Sequence, residues 1–259
     1  MKDNKVPWYA ENGGVFTPDY FEGRTENIKE VTGPEQTKLE VDFLEDKLGL
    51  IPRTKILDMP CGNGRHSLAL AQRGYDVVGQ DLNGPFLEQA REKVKALGVA
   101  PRFVQGDMRS LGFVEEFDVA INMWTALGYF DSDCEDRMVL AGIFKALRFG
   151  GHFVLDFMNQ SWLIRNYQEI GSGGDYDGTF WISKRRFDIA LGRNHEIRIE
   201  VKKNGERNFV ESNLRIYTPT ELIKMAQSVG FKLFDLYGDF NGGKWNFDSR
   251  RVILIFEKA

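Results

Sequence analysis

The sequence predicts an α/β protein with a doubly wound, mostly parallel sheet and a small antiparallel β insertion. From about residue 34 to residue 160, apolar strand-like segments alternate with amphipathic helical segments, which is typical of a parallel sheet with helices on both faces. From about residue 160 to residue 217, β-rich segments follow one another across turn residues such as Asn204 and Gly205, as in an antiparallel meander. One more helix and two more strands close the chain.

Local patterns predict the individual elements. Apolar side chains at helical spacing, Leu39, Phe43 and Leu44 among them, mark the first helix, and short apolar runs bounded by turn residues mark the strands. The predicted strands of the main sheet are 55–59, 75–80, 101–105, 117–123, 152–157, 231–237 and 251–256. The predicted helices are 34–50, 64–73, 85–97, 133–148 and 218–229, and the predicted strands of the insertion are 179–188, 195–203 and 208–217.

Three regions are expected along the chain. Residues 1–33 mix aromatic side chains with Gly, Asn and Pro and show no period, so we expect an irregular N-terminal arm that folds over a site as a lid. Residues 34–160 together with 218–259 form the main domain. Residues 161–217 form an antiparallel β cap inserted into it.

The composition disfavours several classes of function. The chain has 259 residues, enough for one large domain with an insertion, and its net charge of -4 lacks the basic excess of a nucleic-acid-binding protein. No run approaches the roughly 20 apolar residues of a membrane-spanning helix, and we expect a cytoplasmic protein. Two cysteines, Cys61 and Cys134, and three histidines without paired spacing predict neither a disulfide framework nor a metal site.

The strongest local signal is a strand that runs into a glycine-rich turn and then a helix. The turn contains Gly62 and Gly64, which let the backbone approach a ligand closely. Asp81 follows at the end of the next strand, where a carboxylate can accept both hydroxyls of a ribose. This combination predicts a nucleoside-binding site.

Two residues distinguish the ligand from a nicotinamide dinucleotide. The dinucleotide pattern has a third glycine that seats the pyrophosphate, and here that position is Ser67. Asp58 precedes the turn, and its carboxylate would repel a pyrophosphate but suits a ligand that carries an ammonium group. The charges therefore favour a cationic nucleoside.

Five segments carry a family resemblance: ILDMPCGNGRH, VVGQDLN, QGDMRSL, FDVAINMWTALGYF and GGHFVLDF. In order and spacing they resemble class I S-adenosylmethionine (SAM)-dependent methyltransferases, in the small-molecule branch with an antiparallel cap, over about residues 35–160. The resemblance implies a Rossmann-like sheet of seven strands with an antiparallel last strand. It also implies SAM as cofactor, S-adenosylhomocysteine as product, and in-line transfer of the methyl group to N or O of a small molecule.

The resemblance also implies roles for single residues. The glycine turn would lie along the methionyl group with Asp58 at its floor, Asp81 would hold the ribose, and Asp107 would accept from the adenine amino group. The residues expected to bind the cofactor are Asp58, Cys61, Gly62, Asn63, Gly64, Arg65, Asp81, Leu82, Asp107, Met108, Asn122 and Tyr20. Cys61 is expected to be a packed small residue of the turn, not a nucleophile.

The acceptor site is expected beyond the fourth strand, where open α/β sheets place ligands. The residues expected to contact the acceptor are Trp124, Thr125, Tyr129, Arg215, Tyr217 and Arg250. Tyr129 and His66 are candidates for a general base. Simpler interpretations stay open: Trp124 as core packing, the arginines as a solvated edge, Tyr20 as a hydrophobic anchor, and His66 as a capping or packing residue.

Three other functions stay open. A nicotinamide-dependent oxidoreductase uses a similar turn, although Ser67 and Asp58 argue against it. An RNA or tRNA methyltransferase is disfavoured by the net charge and by Asn122-Met123-Trp124-Thr125, which lacks the Asn/Asp-Pro-Pro-aromatic run of enzymes that methylate bases. The third is a SAM-binding module without catalytic activity.

Overall fold

A seven-stranded sheet forms the centre of the computed structural model, which describes residues 6–11, 13–17, 20–21, 32–174 and 178–259. Parts of the predicted N-terminal arm therefore lie outside the described residues. The helices are α1 Pro34–Leu48, α2 Arg65–Gln72, α3 Gly84–Leu97, α4 Asp133–Ala146, α5 Gln160–Arg165 and α6 Pro219–Ser228. The strands are β1 Lys55–Asp58, β2 Asp76–Asp81, β3 Arg102–Gln105, β4 Phe117–Asn122, β5 Leu147–Met158, β6 Ile170–Gly174, β7 Phe180–Asp188, β8 Arg193–Val201, β9 Arg207–Arg215, β10 Lys232–Tyr237 and β11 Arg251–Glu257.

The main sheet has the strand order β10-β11-β5-β4-β1-β2-β3. Strands β1 to β5 are parallel, and β11 runs antiparallel to both β5 and β10. This confirms the predicted doubly wound sheet with an antiparallel last strand. Because β1 lies between β2 and β4, the chain reverses its direction of winding there, and ligands of such sheets bind at this switch point.

Both faces of the sheet are buried, because side chains along each strand point alternately to opposite sides. Val119 and Ile121 of β4 pack with Leu44 of α1 on one face, while Ala120 packs with Leu140 of α4 on the other. A strand that is buried on both faces needs apolar side chains on both, so its sequence is a near-continuous apolar run, as in β4. Such runs made these strands predictable from the sequence.

The cap is a four-stranded antiparallel sheet of order β6-β7-β8-β9. The prediction of three strands was incomplete, since it missed α5 and β6. Strand β6 reads Ile-Gly-Ser-Gly-Gly and has almost no apolar side chain that would mark a strand; it is held by its backbone register with β7, from Ile170 paired to Lys184 to Gly174 paired to Phe180.

Helix α4 is shorter than predicted. It ends at Ala146, and β5 begins at once with Leu147, five residues before the predicted strand start. Leu147 already pairs with Phe117 of β4, and the register between the two strands then shifts before His152 pairs with Val119. The Gly150–Gly151 segment, predicted as a turn before the strand, therefore lies within it as an irregularity. Within the described residues, no helix has the length and apolar character needed to cross a membrane.

Candidate active site

A cavity of about 900 Å³, including its opening to solvent, lies at the carboxyl ends of β1, β2, β3 and β4. The residues that line it are Tyr9, Phe16, Phe21, Pro60, Cys61, Gly62, Asn63, Arg65, His66, Gln80, Asp81, Leu82, Asn83, Phe86, Gly106, Asp107, Met108, Met123, Trp124, Ala126, Tyr129 and Phe130. Aromatic and apolar side chains dominate, with a few polar groups from the strand ends.

The glycine turn after β1 forms one wall of the cavity. Gly62 and Gly64 have φ angles of 54° and 78°, in the left-handed region that favours glycine. A Cβ on Gly64 would lie 2.9 Å from the Cβ of Ala90 on α3, so the turn also requires glycine for close packing. Burial raises the pKa of the Cys61 thiol well above its ordinary value, so this side chain stays protonated and unreactive.

Asp81 fixes the turn and faces the cavity. One carboxylate oxygen accepts the Gly62 N–H at 2.7 Å, and the other accepts the Asn83 N–H at 2.8 Å. Burial raises the pKa of Asp81 to about 6 against the effect of these hydrogen bonds. A carboxylate is therefore held rigidly at the end of β2, where hydroxyl donors of a ligand can reach it.

Three predicted cofactor residues lie behind the cavity wall. Asp58 is buried, and one oxygen accepts a hydrogen bond from Ser67 Oγ at 2.6 Å while Oδ1 has no partner in the described structure. Burial also raises the pKa of the Asp58 carboxyl. Both polar side-chain atoms of Asn122, at the end of β4, are buried without a partner in the same part of the chain. Gly64 is the third, since it packs against α3.

Asp107 lines the cavity but is already paired. Arg109 donates to its two carboxylate oxygens from Nε and Nη2 at distances of 2.5 to 3.1 Å, and this hydrogen bonding lowers the pKa of Asp107. Arg109 also donates to Glu135 at 2.6 Å. Sequence reasoning missed Arg109, because a partner two residues away gives no periodic signal.

His66 and Arg65 share one buried carboxylate on α1. His66 Nε2 lies 2.7 Å from Oε2 of Glu40, and Arg65 pairs with the same oxygen. Burial alone would raise the pKa of Glu40, but hydrogen bonds and charges from His66 and Arg65 outweigh it and lower that pKa to about 2. The histidine ring is thus oriented by an ionised carboxylate, which the helical pattern of α1 did not reveal.

Aromatic residues of the arm close the other side of the cavity. Trp8 lies 5.0 Å from the ring of Tyr129, and Phe21 lies 4.9 Å from Phe86, centroid to centroid. A Cβ on Gly62 would meet the Phe21 ring at 2.9 Å. Tyr20 does not line this cavity; with Val15 it lines a second one against the cap.

Tyr129 is surrounded by aromatic rings. Burial is the main cause that raises the pKa of its hydroxyl, with smaller contributions from Tyr20 and Asp81. The phenol therefore stays protonated near neutral pH, which argues against its predicted role as a base. Its ring still lines the cavity at the end next to β4.

Four of the predicted acceptor residues do not line the cavity. Thr125 and Tyr217 are buried, and the Tyr217 hydroxyl donates to Asp136 of α4 at 2.6 Å, with an oxygen of Asp133 2.9 Å away. Arg215 is buried too and donates to Glu221 at 2.6 Å, so its charge is neutralised inside the protein. Arg250 is exposed, with its guanidinium 5.3 Å from the ring of Trp162. The partners of Thr125, Tyr217 and Arg250 are distant in sequence, so sequence reasoning did not find them.

The remaining lining residues were not named from the sequence as cofactor or acceptor residues, although Tyr9, Phe16 and Phe21 belong to the arm that was expected to act as a lid. They are Tyr9, Phe16, Phe21, Pro60, Gln80, Asn83, Phe86, Gly106, Met123, Ala126 and Phe130. Their positions directly after predicted strands, or among the aromatic side chains of the arm, are the signal that could have found some of them. No group of three or more His, Cys, Asp and Glu side chains that could hold a metal ion occurs among the described residues.

Known proteins resemble this chain in sequence and in fold. Residues 56–151 match the family described as a methyltransferase domain. The glycine/sarcosine N-methyltransferase of Halorhodospira halochloris is 26% identical over 248 residues, covering 94% of this chain and 90% of that protein. The structure of the CcbJ methyltransferase from Streptomyces caelestis has a TM-score of 0.81 at 21% identity, covering 95% of this chain and 97% of that one.

A SAM-dependent methyltransferase from Clostridium acetobutylicum has a TM-score of 0.77 at 18% identity, covering 88% of this chain and 94% of that one. At these identities the structural likeness concerns the fold. Residues 56–151 therefore match a methyltransferase domain, and the chain has the fold of the class I SAM-dependent methyltransferases.

Proposed function

We propose that the chain transfers the methyl group of SAM to a nitrogen or oxygen atom of a small molecule bound in the cavity of about 900 Å³. The observation that carries this proposal is the position of Asp81. Its carboxylate is hydrogen-bonded to the glycine turn at Gly62 and faces an aromatic cavity at the switch point of the sheet.

The residues present fit SAM at each end. At the methionyl end, Asn63 and Arg65 line the cavity, and Asn63 Oδ1 and Arg65 Nη2 are buried with no partner in the described structure. One acceptor and one donor complement an ammonium and a carboxylate. At the nucleoside end, Asp81 can accept ribose hydroxyls, and Leu82 and Met108 offer apolar surface for the adenine ring.

SAM supplies a methyl group that is electrophilic because it is bonded to a sulfonium. The protein then has to align an acceptor lone pair with this carbon and exclude water. Alignment of this kind contributes about 7 to 11 kcal/mol, more than a single general base usually provides. The aromatic side chains of the arm and of the segment after β4 supply the dry, shaped wall this requires.

An amine acceptor also releases a proton when its C–N bond forms. Of the two candidate bases, Tyr129 stays protonated, whereas His66 lines the cavity with its ring oriented by Glu40. We therefore assign proton acceptance to His66 for amine substrates. The glycine/sarcosine N-methyltransferase, which is similar over nearly the whole chain, supports amines as the first acceptors to test.

Binding of S-adenosylhomocysteine by titration calorimetry tests the cofactor site. We expect the wild type to bind, Asp81→Ala to lose at least tenfold in affinity, and Asp76→Ala, an exposed residue on the same strand, to bind like the wild type. Binding of NADH in place of S-adenosylhomocysteine would indicate an oxidoreductase, and tight binding of tRNA at low salt would indicate a nucleic-acid methyltransferase. Equal affinity in Asp81→Ala contradicts the proposal.

A further inference from the structure

The segment after β4 begins with a strained turn. Trp124 and Thr125 both have φ of 62°, a left-handed conformation that non-glycine residues rarely adopt, and that β-branched residues such as threonine adopt least. Such conformations persist only where the surrounding structure enforces them, and they cluster at functional sites. Two of them in succession, next to the cavity, require a specific cause.

The cause is a buried ion pair between β5 and β11. Asp156 accepts the Trp124 N–H on Oδ2 at 2.8 Å, and its backbone carbonyl accepts the Thr125 N–H at 3.0 Å. Arg251 donates to both carboxylate oxygens of Asp156, at 2.7 and 2.8 Å, and to Thr125 Oγ1 at 3.0 Å. Among the described residues, the polar contacts found for Trp124 and Thr125 are therefore all made by Asp156 and Arg251.

The pair itself does not line the cavity, but the side chain that it orients does. The indole of Trp124 faces the cavity, and its ring lies 6.1 Å from Tyr20 and 6.3 Å from Phe21 of the arm. Asp156 is buried beneath it, and Arg251 is largely covered. The pair thus supports the wall from outside the site.

The supported wall belongs to the acceptor side of the cavity. The cofactor residues of the proposed site follow β1, β2 and β3, whereas Trp124 follows β4, on the opposite side of β1 in the sheet. A ligand extended from the glycine turn toward Asp81 leaves the space next to β4 free. We infer that Asp156 and Arg251 are positioning residues that hold the Trp124 indole as the wall against which the methyl acceptor is aligned. This inference rests on the proposed function.

The test compares Arg251→Gln with Arg73→Gln. Arg73 directly follows α2 and pairs with Asp42 and Glu45 of α1, away from the cavity. With sarcosine as the probe for the acceptor, we expect Arg251→Gln to raise its KM at least tenfold. The dissociation constant of S-adenosylhomocysteine should change less than twofold in the same variant. Arg73→Gln should change neither value. The conservative variant Arg251→Lys, which can still pair with Asp156, should fall between wild type and Arg251→Gln.

A second readout does not require turnover. When Trp8, Trp162, Trp181 and Trp245 are replaced by Phe, Trp124 is the remaining tryptophan of the chain. Arg251→Gln in that background should shift its fluorescence to longer wavelength and at least double its quenching by acrylamide. Thr125→Gly, which tolerates the left-handed turn, should recover at least half of the shift.

The outcomes separate this inference from the proposed function. Failure of S-adenosylhomocysteine to bind the wild type refutes the proposed function, and with it the acceptor role inferred here. If sarcosine is not methylated, the fluorescence comparison decides: an unchanged Trp124 spectrum in Arg251→Gln overturns the positioning role. An unchanged KM for a methylated acceptor overturns it as well. Equal effects of Arg251→Gln and Arg73→Gln on the KM for the acceptor would contradict the inference, because they would show that the Asp156–Arg251 pair contributes only to stability.

Discussion

Asp81 couples the proposed cofactor site to the pH dependence of folding. Burial raises the pKa of its carboxyl from 3.8 to about 6, which corresponds to about 3 kcal/mol of free energy of unfolding. Between about pH 4 and about pH 6 the unfolded chain releases this proton while the folded chain keeps it. The stability contributed by Asp81 is therefore greatest below about pH 4, falls as the pH rises, and is constant above about pH 7.

Asp81→Asn removes this titration. The free energy of unfolding of the wild type minus that of the variant is expected to fall by about 2 kcal/mol between about pH 4.5 and about pH 7.5. Urea unfolding followed by circular dichroism at several pH values measures this difference. Asp76→Asn, at the exposed start of the same strand, is the control and should show no such trend. A difference that is flat with pH for Asp81→Asn refutes the assignment of a buried, weakly acidic carboxyl.

The same titration predicts the opposite trend for ligand binding. Ribose hydroxyls donate to the ionised carboxylate, and about one molecule in ten is ionised at about pH 5 when the pKa is about 6. Calorimetry should therefore give an affinity for S-adenosylhomocysteine about tenfold weaker at pH 5 than at pH 7.5, with no such dependence in Asp81→Asn. A wild-type affinity that does not change over this range contradicts the role of Asp81.

The remaining predictions concern packing and reactivity. Gly64→Ala should lower the free energy of unfolding by about 2 to 4 kcal/mol, because the added Cβ meets α3. Gly98→Ala, at a similar φ but with open space around the added Cβ, should lower it by only about 1 kcal/mol. Chemical denaturation compares the two variants, and equal losses would contradict the packing argument. Tyr217→Phe removes the donor to buried Asp136 and should cost about 1 to 3 kcal/mol, and an unchanged unfolding midpoint would show that this contact contributes nothing. Iodoacetamide should label exposed Cys134 and leave buried Cys61 unmodified in the folded protein, as peptide mass spectrometry can determine; rapid labelling of Cys61 would contradict its burial.

The main sheet and the glycine turn could be predicted from the sequence because local patterns specify them. Apolar runs such as that of β4 mark strands buried on both faces, and Gly62 and Gly64 mark a backbone conformation that other residues avoid. Asp81 follows from its place at the end of the second strand. Each of these signals lies within a few residues of the feature that it predicts.

Features that depend on distant partners could not be predicted. Arg215 and Tyr217 look like surface residues that read a substrate, yet acidic groups of α4 and α6 hold them inside the protein. Glu40 looks like an ordinary helix residue, but it meets His66 and Arg65 only after α1 packs on α2. Strand β6 is defined by backbone pairing with β7, which leaves no mark on its side chains.

The most direct test of the central claim is transfer of an isotopically labelled methyl group from SAM to a panel of small amines and alcohols, beginning with glycine and sarcosine. Mass spectrometry of the products, with S-adenosylhomocysteine measured in parallel, gives the result. We predict an acceptor that gains one labelled methyl group for each S-adenosylhomocysteine formed, with Asp81→Ala at least tenfold slower at a fixed low SAM concentration. SAM binding without a methylated product anywhere in the panel would contradict the account and indicate a SAM-binding module without catalytic activity.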